Sequence, residues 1–594
     1  MKKGVEVTET NRVESLRVSD PIHLELVKNA LSTVAEEMGL TVVRSAYSSQ
    51  VKEGGDSTAA IFDHRGRLLA QSVGSPLSHL ASLRPSLAEV LIDFPAETMR
   101  DGDVFACNDP YRGGIHSNDV MIFRPVFVAG ELAFFTASLM HVADIGGVAA
   151  GGLPANATEM YHEGLILPPL LLHREGVPQR AVFDIIAANS RTPDKVLGDI
   201  RAMIAGDNLG AQRLVTLAER YGLERLRHLV DELLAYTDRR TRLDIAALPD
   251  GSHEGSFVID DDGVEPGKNH TVRVRVTIDG DRIIADFTGT DPQAKGPINA
   301  ALSQSMSGVL FAIRSLLSSD IPVNDGSFGA MEVIFPRGSL CNPNPPAACN
   351  SRMATVMAII EAMLRAVSNI VPHAKVATSS NVHVAIMSGV ENDSRRVWAY
   401  IDPQFGGSGA RGDRDGMDVI GPLILATGGA LHCIEAYEME YPVRFERFEL
   451  WKDSGGPGRW RGGQGARREM RILTDGVFTG RATDRCSIPP AGAFGGQSGR
   501  GGGWILNEGT DRERVLPPKI TSVDLAAGDV VTMLTSAGGG FGPPEEREPE
   551  RVLADVIDGF VTVESARDIY CVMIDPDTMT VDAAATATLR DGAR

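Results

Sequence analysis

The pattern of apolar and polar positions predicts helices at three places along the chain. Near the amino terminus, Asp20 suits a helix N-cap and Pro21 suits the first turn, while Gly39 is expected to end the helix. Helical spacing of apolar residues recurs over residues 214–236 and 352–367. The apolar face predicted for the first helix consists of Leu24, Val27, Leu31, Val34 and Met38.

Other segments have the pattern of strands. Residues 131–140 are mostly apolar, which is typical of a buried strand. Residues 58–62 and 67–71 are predicted to be the arms of a hairpin that turns through residues 63–66. Residues 252–288 alternate as strands, with turns at 260–263 and 279–280.

Length and glycine content indicate a chain with several subdomains. A chain of 594 residues is too long for one hydrophobic core, and beyond residue 435 it becomes glycine-rich and short-stranded. We predict a mixed α/β (α+β) fold. The predicted regions are an amino-terminal α/β region that carries a metal site (1–245), a central α/β region (246–435), a β-rich and glycine-rich region (436–545) and a tail that packs on the body (546–594).

Two histidines carry the most informative chemistry. His116 and His141 each have an aspartate three residues on, Asp119 and Asp144, and glycines beside them allow tight turns. Imidazole and carboxylate are ligands that divalent zinc or manganese prefers. His141 ends the predicted strand 131–140, and α/β sheets usually place ligands and catalytic groups at that end of a strand. This placement favours a metal centre over the alternative, in which two of the chain's 13 histidines lie near aspartates by chance.

Asp56 is a further candidate ligand. It immediately precedes the predicted strand 58–62, and a carboxylate at the mouth of a strand can complete a three-ligand site that leaves room for water or substrate. The alternative is an aspartate that only forms a turn. Spacing alone leaves both interpretations open.

Composition excludes several classes of function. The net charge of −20 disfavours direct binding to nucleic acid or to an anionic membrane, because both need clustered lysine and arginine. The sequence has no basic leader followed by an apolar stretch and no apolar run of about 18 residues that could span a bilayer. We therefore expect a cytoplasmic protein.

Cysteine and glycine motifs add no redox or nucleotide site. The six cysteines form no C-x-x-C pair, and Cys349 is interpreted as a buried thiol, with a nucleophile as the less favoured alternative. Residues 407–412 fit G-x-G-x-x-G, but the following residues continue as a loop where a dinucleotide site needs a helix. No G-x-x-x-x-G-K-[ST] phosphate loop occurs, so an ATP site would have to lie on a partner chain.

Long motifs throughout the chain resemble the B-type subunit of the hydantoinase/oxoprolinase family. In the first half they are residues 52–56 (KEGGD), 108–119 (NDPYRGGIHSND), 141–147 (HVADIGG) and 163–165. In the second half they are residues 405–411 (FGGSGAR) and 453–467 (DSGGPGRWRGGQGAR), and the tail from 552 to 590 is also similar.

The resemblance implies both an activity and a set of ligands. Members of this family hydrolyse cyclic amides such as hydantoins, 5-oxoproline or lactams with ATP, or carboxylate ketones. In them the A-type chain carries the nucleotide chemistry, and the B-type chain carries a metal centre. Matched position by position, the metal ligands fall on His116 and His141, with Asp56 as the carboxylate in the hydrolase-like case or Asp119 in the carboxylase-like case. His79 also matches a family histidine and is expected to line the pocket.

We therefore expect the metal-dependent catalytic subunit of an ATP-dependent cyclic amidohydrolase, with bound zinc or manganese and an ATP-binding hydantoinase A-type partner. Asp56, His116 and His141 are the expected ligands, with Asp119 a fourth ligand or a residue that holds the others. Asp144 and Glu163 are candidates for proton transfer or for orienting His141. The alternatives are the matching subunit of an ATP-dependent ketone carboxylase and a scaffold without activity; the retained ligand residues argue against the scaffold.

Overall fold

Helices and mainly antiparallel sheets alternate in this chain in the mixed α/β (α+β) manner that the sequence predicts. The structure, a computed structural model, describes residues 18–371, 374–391, 394–422, 424 and 431–593. The helices of the amino-terminal part are Pro21–Ser45, Ser49–Lys52, Leu77–Asp93, Arg180–Ala188, Pro193–Tyr221 and Leu223–Ile245. The later helices are Leu302–Arg314, Met353–Val367, Ile434–Glu440, Pro549–Ile557, Val563–Asp568 and Ala583–Ala593.

The first sheet has seven strands in the order β2-β1-β5-β4-β3-β6-β7, and every neighbouring pair is antiparallel. Helices cover both faces, which explains why its central strands are mostly apolar and buried. Ala59 and Ile61 pack with helix Pro21–Ser45, and Phe62 packs with helix Leu77–Asp93 on the other face. The strands are β1 Ser57–Asp63, β2 Leu68–Gln71, β3 Val104–Cys107, β4 Asp119–Val128, β5 Glu131–His141, β6 Leu170–Arg174 and β7 Val177–Pro178, so the predicted hairpin and buried strand are confirmed.

The prediction for the first helix is confirmed at the start of the helix and wrong at its end. The Asp20 carboxylate accepts a hydrogen bond from the His23 N–H at 3.1 Å, and the predicted apolar face is buried. The helix passes through Gly39 and continues to Ser45. A Cβ at Gly39 would lie 2.9 Å from the Cβ of Ser72, so this glycine allows the hairpin to approach the helix and does not end it.

Two other helix predictions need adjustment. The segment 214–236 spans parts of two helices, Pro193–Tyr221 and Leu223–Ile245, because Gly222 interrupts the spacing at φ +79°. The helix predicted over 352–367 is observed as Met353–Val367. Among the described helices, none has the length and apolar character needed to cross a bilayer.

The second sheet, β11-β10-β9-β8, confirms the strands and turns predicted over residues 252–288. Helices Leu302–Arg314 and Met353–Val367 pack on it around a shared core that includes Val274 and Ile359. Since Met353–Val367 also contacts the core of the next sheet through Val356, its amino-terminal end lies at a junction of subdomains. The strands are β8 Gly251–Ile259, β9 His270–Asp279, β10 Arg282–Asp286 and β11 Met331–Ile334.

Two further sheets, β13-β12-β16-β19 and β14-β15-β20-β17-β18, face each other across a core that includes Tyr400, Met470 and Trp504. The first of these sheets joins two strands from before residue 435 with two strands from beyond it. The strands are β12 His383–Val390, β13 Val397–Gln404, β14 Val443–Leu450, β15 Ala466–Ile472, β16 Gly476–Ala482, β17 Gly503–Leu506, β18 Arg514–Leu516, β19 Lys519–Leu525 and β20 Val530–Leu534.

The glycine-rich segments pack backbone against backbone. A Cβ at Gly407 would lie 1.8 Å from the carbonyl oxygen of Gly463, and one at Gly538 would lie 1.9 Å from that of Ser408. Successive N–H groups bond to neighbouring segments, as when Gly538 donates to Gly463 at 2.9 Å. The glycines are therefore needed for close packing, and residues 413–416 after the segment 407–412 form a loop, as predicted.

The tail is held by a buried arginine and ends in a small unit of its own. Arg547 bonds to the carboxylates of Asp415 at 2.7 Å and Asp555 at 2.9 Å. The last strands are β21 Ile574–Asp575 and β22 Thr580–Val581. The division into four regions at residues 245, 435 and 545 stays a prediction.

Candidate metal centre

The strand order of the first sheet brings the candidate ligands together. Asp119 begins β4 and His141 ends β5, and the two residues are paired across the strands. The expectation for His141 assumed a sheet in which carboxyl ends share an edge, whereas in this antiparallel sheet the end of one strand lies beside the start of its neighbour. His116 joins them through a turn in which the Asp119 N–H donates to the His116 carbonyl at 3.0 Å.

His116, Asp119 and His141 form a buried triad. One ligand atom from each lies within 4.8 Å of the others, a grouping of three that is found once among the described residues. The Nε2 atom of His116 lies 3.0 Å from Oδ2 of Asp119, and the two imidazole rings are 5.1 Å apart between centroids. The residues are 2%, 2% and 7% exposed, so they can hold an ion away from bulk water.

The electrostatics give His116 and Asp119 the protonation states of a cation site. Burial, together with the nearby Arg352 guanidinium, lowers the pKa of His116 to about 3, so this imidazole is neutral at pH 7. Burial alone would raise the pKa of Asp119, but the two histidines and Arg352 hold it well below its ordinary value. Neutral imidazole and ionised carboxylate are the forms that coordinate metals.

Unpaired nitrogen atoms support the fit to a divalent ion. The Nδ1 atoms of His116 and His141 are buried and have no hydrogen-bond partner within the part of the chain that the structure describes. A buried polar atom without a partner costs about 1–3 kcal/mol, and a bound ion is one partner that would remove this cost. Two nitrogens and one carboxylate are a donor set that zinc and manganese accept.

The loops behind the triad are fixed by asparagine side chains. The Asn118 amide donates to the carbonyls of Val142 at 3.2 Å and Gly151 at 2.7 Å. The Asn108 amide donates to the carbonyls of Ser117 at 2.5 Å and Leu165 at 3.0 Å. These bonds tie the segment that carries His116 to the segment that follows His141, and so hold together the backbone on which both histidines lie.

Asp56 and His79 form a pair next to the triad. The His141 N–H donates to the Asp56 carbonyl at 3.3 Å, which places Asp56 at the same sheet edge. The Asp56 carboxylate lies 3.4 Å from Nε2 of His79, and Nδ1 of His79 is 2.9 Å from the Thr58 hydroxyl. Asp56 is therefore adjacent to the converging ligand atoms but outside their cluster, and its part as a metal ligand stays a prediction.

Asp144 lies in the loop after His141 and is completely buried. One carboxylate oxygen accepts from the Gly151 N–H at 2.8 Å and from Arg191 Nη1 at 3.0 Å. The other accepts from the Arg191 N–H at 2.6 Å. These contacts suit a residue that fixes the loop, and none of them involves His141.

Glu163 has a different environment. Its Oε1 atom accepts the N–H groups of Cys349 at 2.8 Å and Asn350 at 2.9 Å, while its buried Oε2 atom has no partner in the described part of the chain. Burial raises the pKa of this carboxyl to about 8, against the effect of both N–H groups. The Ser117 hydroxyl donates to the Glu163 carbonyl at 2.6 Å, which connects Glu163 to the loop of His116.

Two arginines near the triad were not identified from the sequence. Arg352, directly before helix Met353–Val367, lies 3.4 Å from the Asp119 carboxylate. Arg481 lies in β16 and is 6% exposed. For Arg481 the only signal in the sequence is a charged residue inside a strand of small and apolar residues. No sequence spacing connects Arg352 with Asp119, which lies 233 positions earlier. Cys349 beside them is buried, as expected, and burial raises the pKa of its thiol, which does not favour a nucleophile.

Comparison with known proteins gives this site a family. The chain matches the hydantoinase B/oxoprolinase family over residues 20–544. It is 35% identical over 590 residues to the B-type subunit of a putative D-/L-hydantoinase from Pseudomonas sp. (strain NS671), covering 97% of this chain and 98% of that protein. It is 27% identical to the acetophenone carboxylase delta subunit of Aromatoleum aromaticum, covering 96% and 89%. The crystal structure of ATP-dependent caprolactamase from Pseudomonas jessenii matches with a TM-score of 0.88 at 30% identity, covering 97% of this chain and all of that one. The chain belongs to the hydantoinase B/oxoprolinase family.

Proposed function

We propose that the chain is the metal-dependent catalytic subunit of an ATP-dependent cyclic amidohydrolase, which opens a hydantoin, 5-oxoproline or lactam ring that an A-type partner has activated. The observation that carries this proposal is the convergence of His116, Asp119 and His141. The similarity to proteins named for hydantoins and caprolactam supports a cyclic amide as the substrate.

In this proposal His116, Asp119 and His141 hold a zinc or manganese ion. When bound, such an ion polarises a carbonyl oxygen and lowers the pKa of a coordinated water from about 15.7 toward 7. Asp56, about one-third exposed at its side chain, lies beside the triad, and its carboxylate is 3.4 Å from Nε2 of the buried His79. Asp56 is then placed to complete the ligand set or to accept a proton from water that enters the site.

Glu163 is the proposed proton donor. Water adds to the activated ring carbon, and the C–N bond breaks with its electron pair on nitrogen, which must take up a proton. A carboxyl with a pKa of about 8 holds a proton at pH 7, and the Oε2 atom of Glu163 is free to give it. The acyl phosphate that remains is hydrolysed to a carboxylate and inorganic phosphate. The contacts of Asp144 fit a part in holding the loop of His141, so its predicted part in proton transfer is the weaker of the two.

ATP is assigned to the partner. The sequence contains no phosphate loop, and its glycine segments are filled by their own backbone packing. Relatives of similar length are named as subunits, which supports a hetero-oligomer. The partner would phosphorylate the amide oxygen, because an unstrained amide resists attack by water.

The alternative is the matching subunit of an ATP-dependent ketone carboxylase. The acetophenone carboxylase delta subunit favours it, since that protein aligns with almost the whole chain. The observed triad contains Asp119, the carboxylate that the resemblance implies for the carboxylase-like case, and Asp56 lies adjacent to it, so the substrate decides between the two functions.

The test is to purify the chain with its A-type partner and to measure ATP-dependent turnover of hydantoins, lactams and ketones with and without bicarbonate. The proposal expects ring opening that needs ATP and metal and is independent of bicarbonate. A requirement for bicarbonate with a ketone would replace it with the carboxylase. The matched control is the same complex carrying Asp119→Asn, which keeps the size of the side chain and removes its charge.

A further inference from the structure

Two buried arginines lie side by side next to the triad. Arg352 and Arg481 are 8% and 6% exposed. Their Nη1 atoms donate to the same acceptor, the carbonyl oxygen of Asn350, at 3.3 and 2.8 Å. The two cations are therefore immediate neighbours in a region with little water to screen them.

The anions around them do not match this charge. Among the described residues, the one ion pair made by either arginine joins Arg352 to Asp119 at 3.4 Å. The Nε atom of Arg481 is buried without a partner, and the Oε1 atom of Glu163 is taken up by backbone N–H groups. Burial and the neighbouring Arg352 lower the pKa of Arg481 to about 9, which agrees with a missing counter-ion.

Binding of a divalent ion would increase the excess of positive charge, because the ion and Arg352 would share the single carboxylate of Asp119. An unpaired buried charge is strongly unfavourable, so buried cations are normally balanced by an anion. The planar guanidinium binds two oxygens of one phosphate or carboxylate at once. A site with two adjacent arginines and a metal centre thus fits an anionic group better than a neutral ring.

We propose that Arg352 and Arg481 bind the phosphoryl group of the activated substrate beside the metal triad. The proposal rests on the proposed function, in which the amide oxygen is phosphorylated before water attacks. The phosphoryl oxygens supply the negative charge that the arginine pair lacks, and Arg481 offers its free Nε atom as a donor. The unactivated ring carries no such group, so the pair distinguishes the activated substrate from its precursor.

The test uses the full chain without its partner and inorganic phosphate as the probe. Calorimetric titration is run on chelator-treated chain and on chain reloaded with zinc or manganese, with chloride added to equal ionic strength. Arg481→Gln is expected to weaken phosphate binding at least tenfold in both states. Arg481→Lys, which keeps the charge and loses the planar fork, is expected to weaken it several-fold. The matched control is Arg547→Gln, another buried arginine, which holds the tail; it is expected to lower the melting temperature without changing phosphate affinity.

Acetate and bicarbonate, titrated in the same way, distinguish a phosphoryl site from a general carboxylate site, and both are expected to bind more weakly than phosphate. The proposal is overturned if either binds as tightly as phosphate, or if folded Arg481 variants keep the affinity of the wild type. If Arg481→Gln does not fold, Arg481→Lys decides alone. The failure of the partner complex to open any ring would refute the proposed function and leave this binding result unaffected.

Discussion

Replacing His141 with alanine removes one of the three side chains that converge in the triad. Changes to residues that only hold a ligand in place typically cost about 10- to 100-fold in metal affinity or activity, so loss of a direct ligand should exceed about 100-fold. This corresponds to more than about 2.8 kcal/mol at about 1.4 kcal/mol per tenfold. We expect turnover of the partner complex to be abolished.

The fold should remain largely intact in this variant. Nδ1 of His141 is buried without a partner, so its removal breaks no hydrogen bond of that atom. The cavity left by this buried side chain should still cost the metal-free chain about 2 kcal/mol of unfolding free energy. Metal content by elemental analysis, measured beside the melting temperature, separates loss of a ligand from loss of packing.

His383→Ala is the matched control. His383 is fully buried in β12, and its Nδ1 atom contacts the Asn381 carbonyl at 3.1 Å, outside the triad. Truncation of a buried side chain of this size should cost about 2 kcal/mol or more and leave the metal in place. If His141→Ala instead kept full metal occupancy and a near-normal rate, the assignment of the site would be refuted.

Three further predictions follow from individual residues. The Glu163 carboxyl has a pKa raised from 4.5 to about 8, so its contribution to the unfolding free energy is complete below pH 4.5 and is lost as the pH rises through 8. Glu163→Gln should remove this loss of unfolding free energy with rising pH. An unfolding free energy that depends on pH in the same way in both proteins would contradict this prediction. The isolated chain should not hydrolyse ATP, and an ATPase rate in material free of partner would disprove the division of labour. Gly407→Ala should destabilise the chain by about 1–3 kcal/mol or more through overpacking. Gly503→Ala is the control, because Gly503 has open space around it, and it should destabilise the chain less. Equal denaturation midpoints for the two variants would show that the glycine segments are not closely packed.

The periodic elements could be predicted from the sequence because burial imposes a period on the chain. Strand Glu131–His141 is mostly apolar and is buried from Ala133 onward, since helices cover both of its faces. The start of the first helix was predictable from its cap, but its end was not, because glycine both ends helices and permits close approach, and Gly39 does the second. That choice depends on Ser72, whose contact with the helix is a tertiary one.

The site could be predicted only in part, because local motifs identify single residues but do not contain the strand order. His116 and His141 were identified by their local motifs, and Asp119 was included because it lies three residues from His116. The pairing of Asp119 with His141 depends on strand order, which the local pattern does not contain. Arg352 and Arg481 come from a helix terminus and from another sheet, so only the assembled fold places them beside Asp119 and Asn350.

The central claim is that His116, Asp119 and His141 hold a divalent metal. Its most direct test is anomalous X-ray diffraction from crystals of the chain loaded with one equivalent of zinc or manganese, recorded at the absorption edge of that metal. We predict one strong anomalous peak within bonding distance of all three side chains, and no peak at that position in crystals of His141→Ala. A peak elsewhere, with the two imidazole rings directed to different cavities, would contradict it.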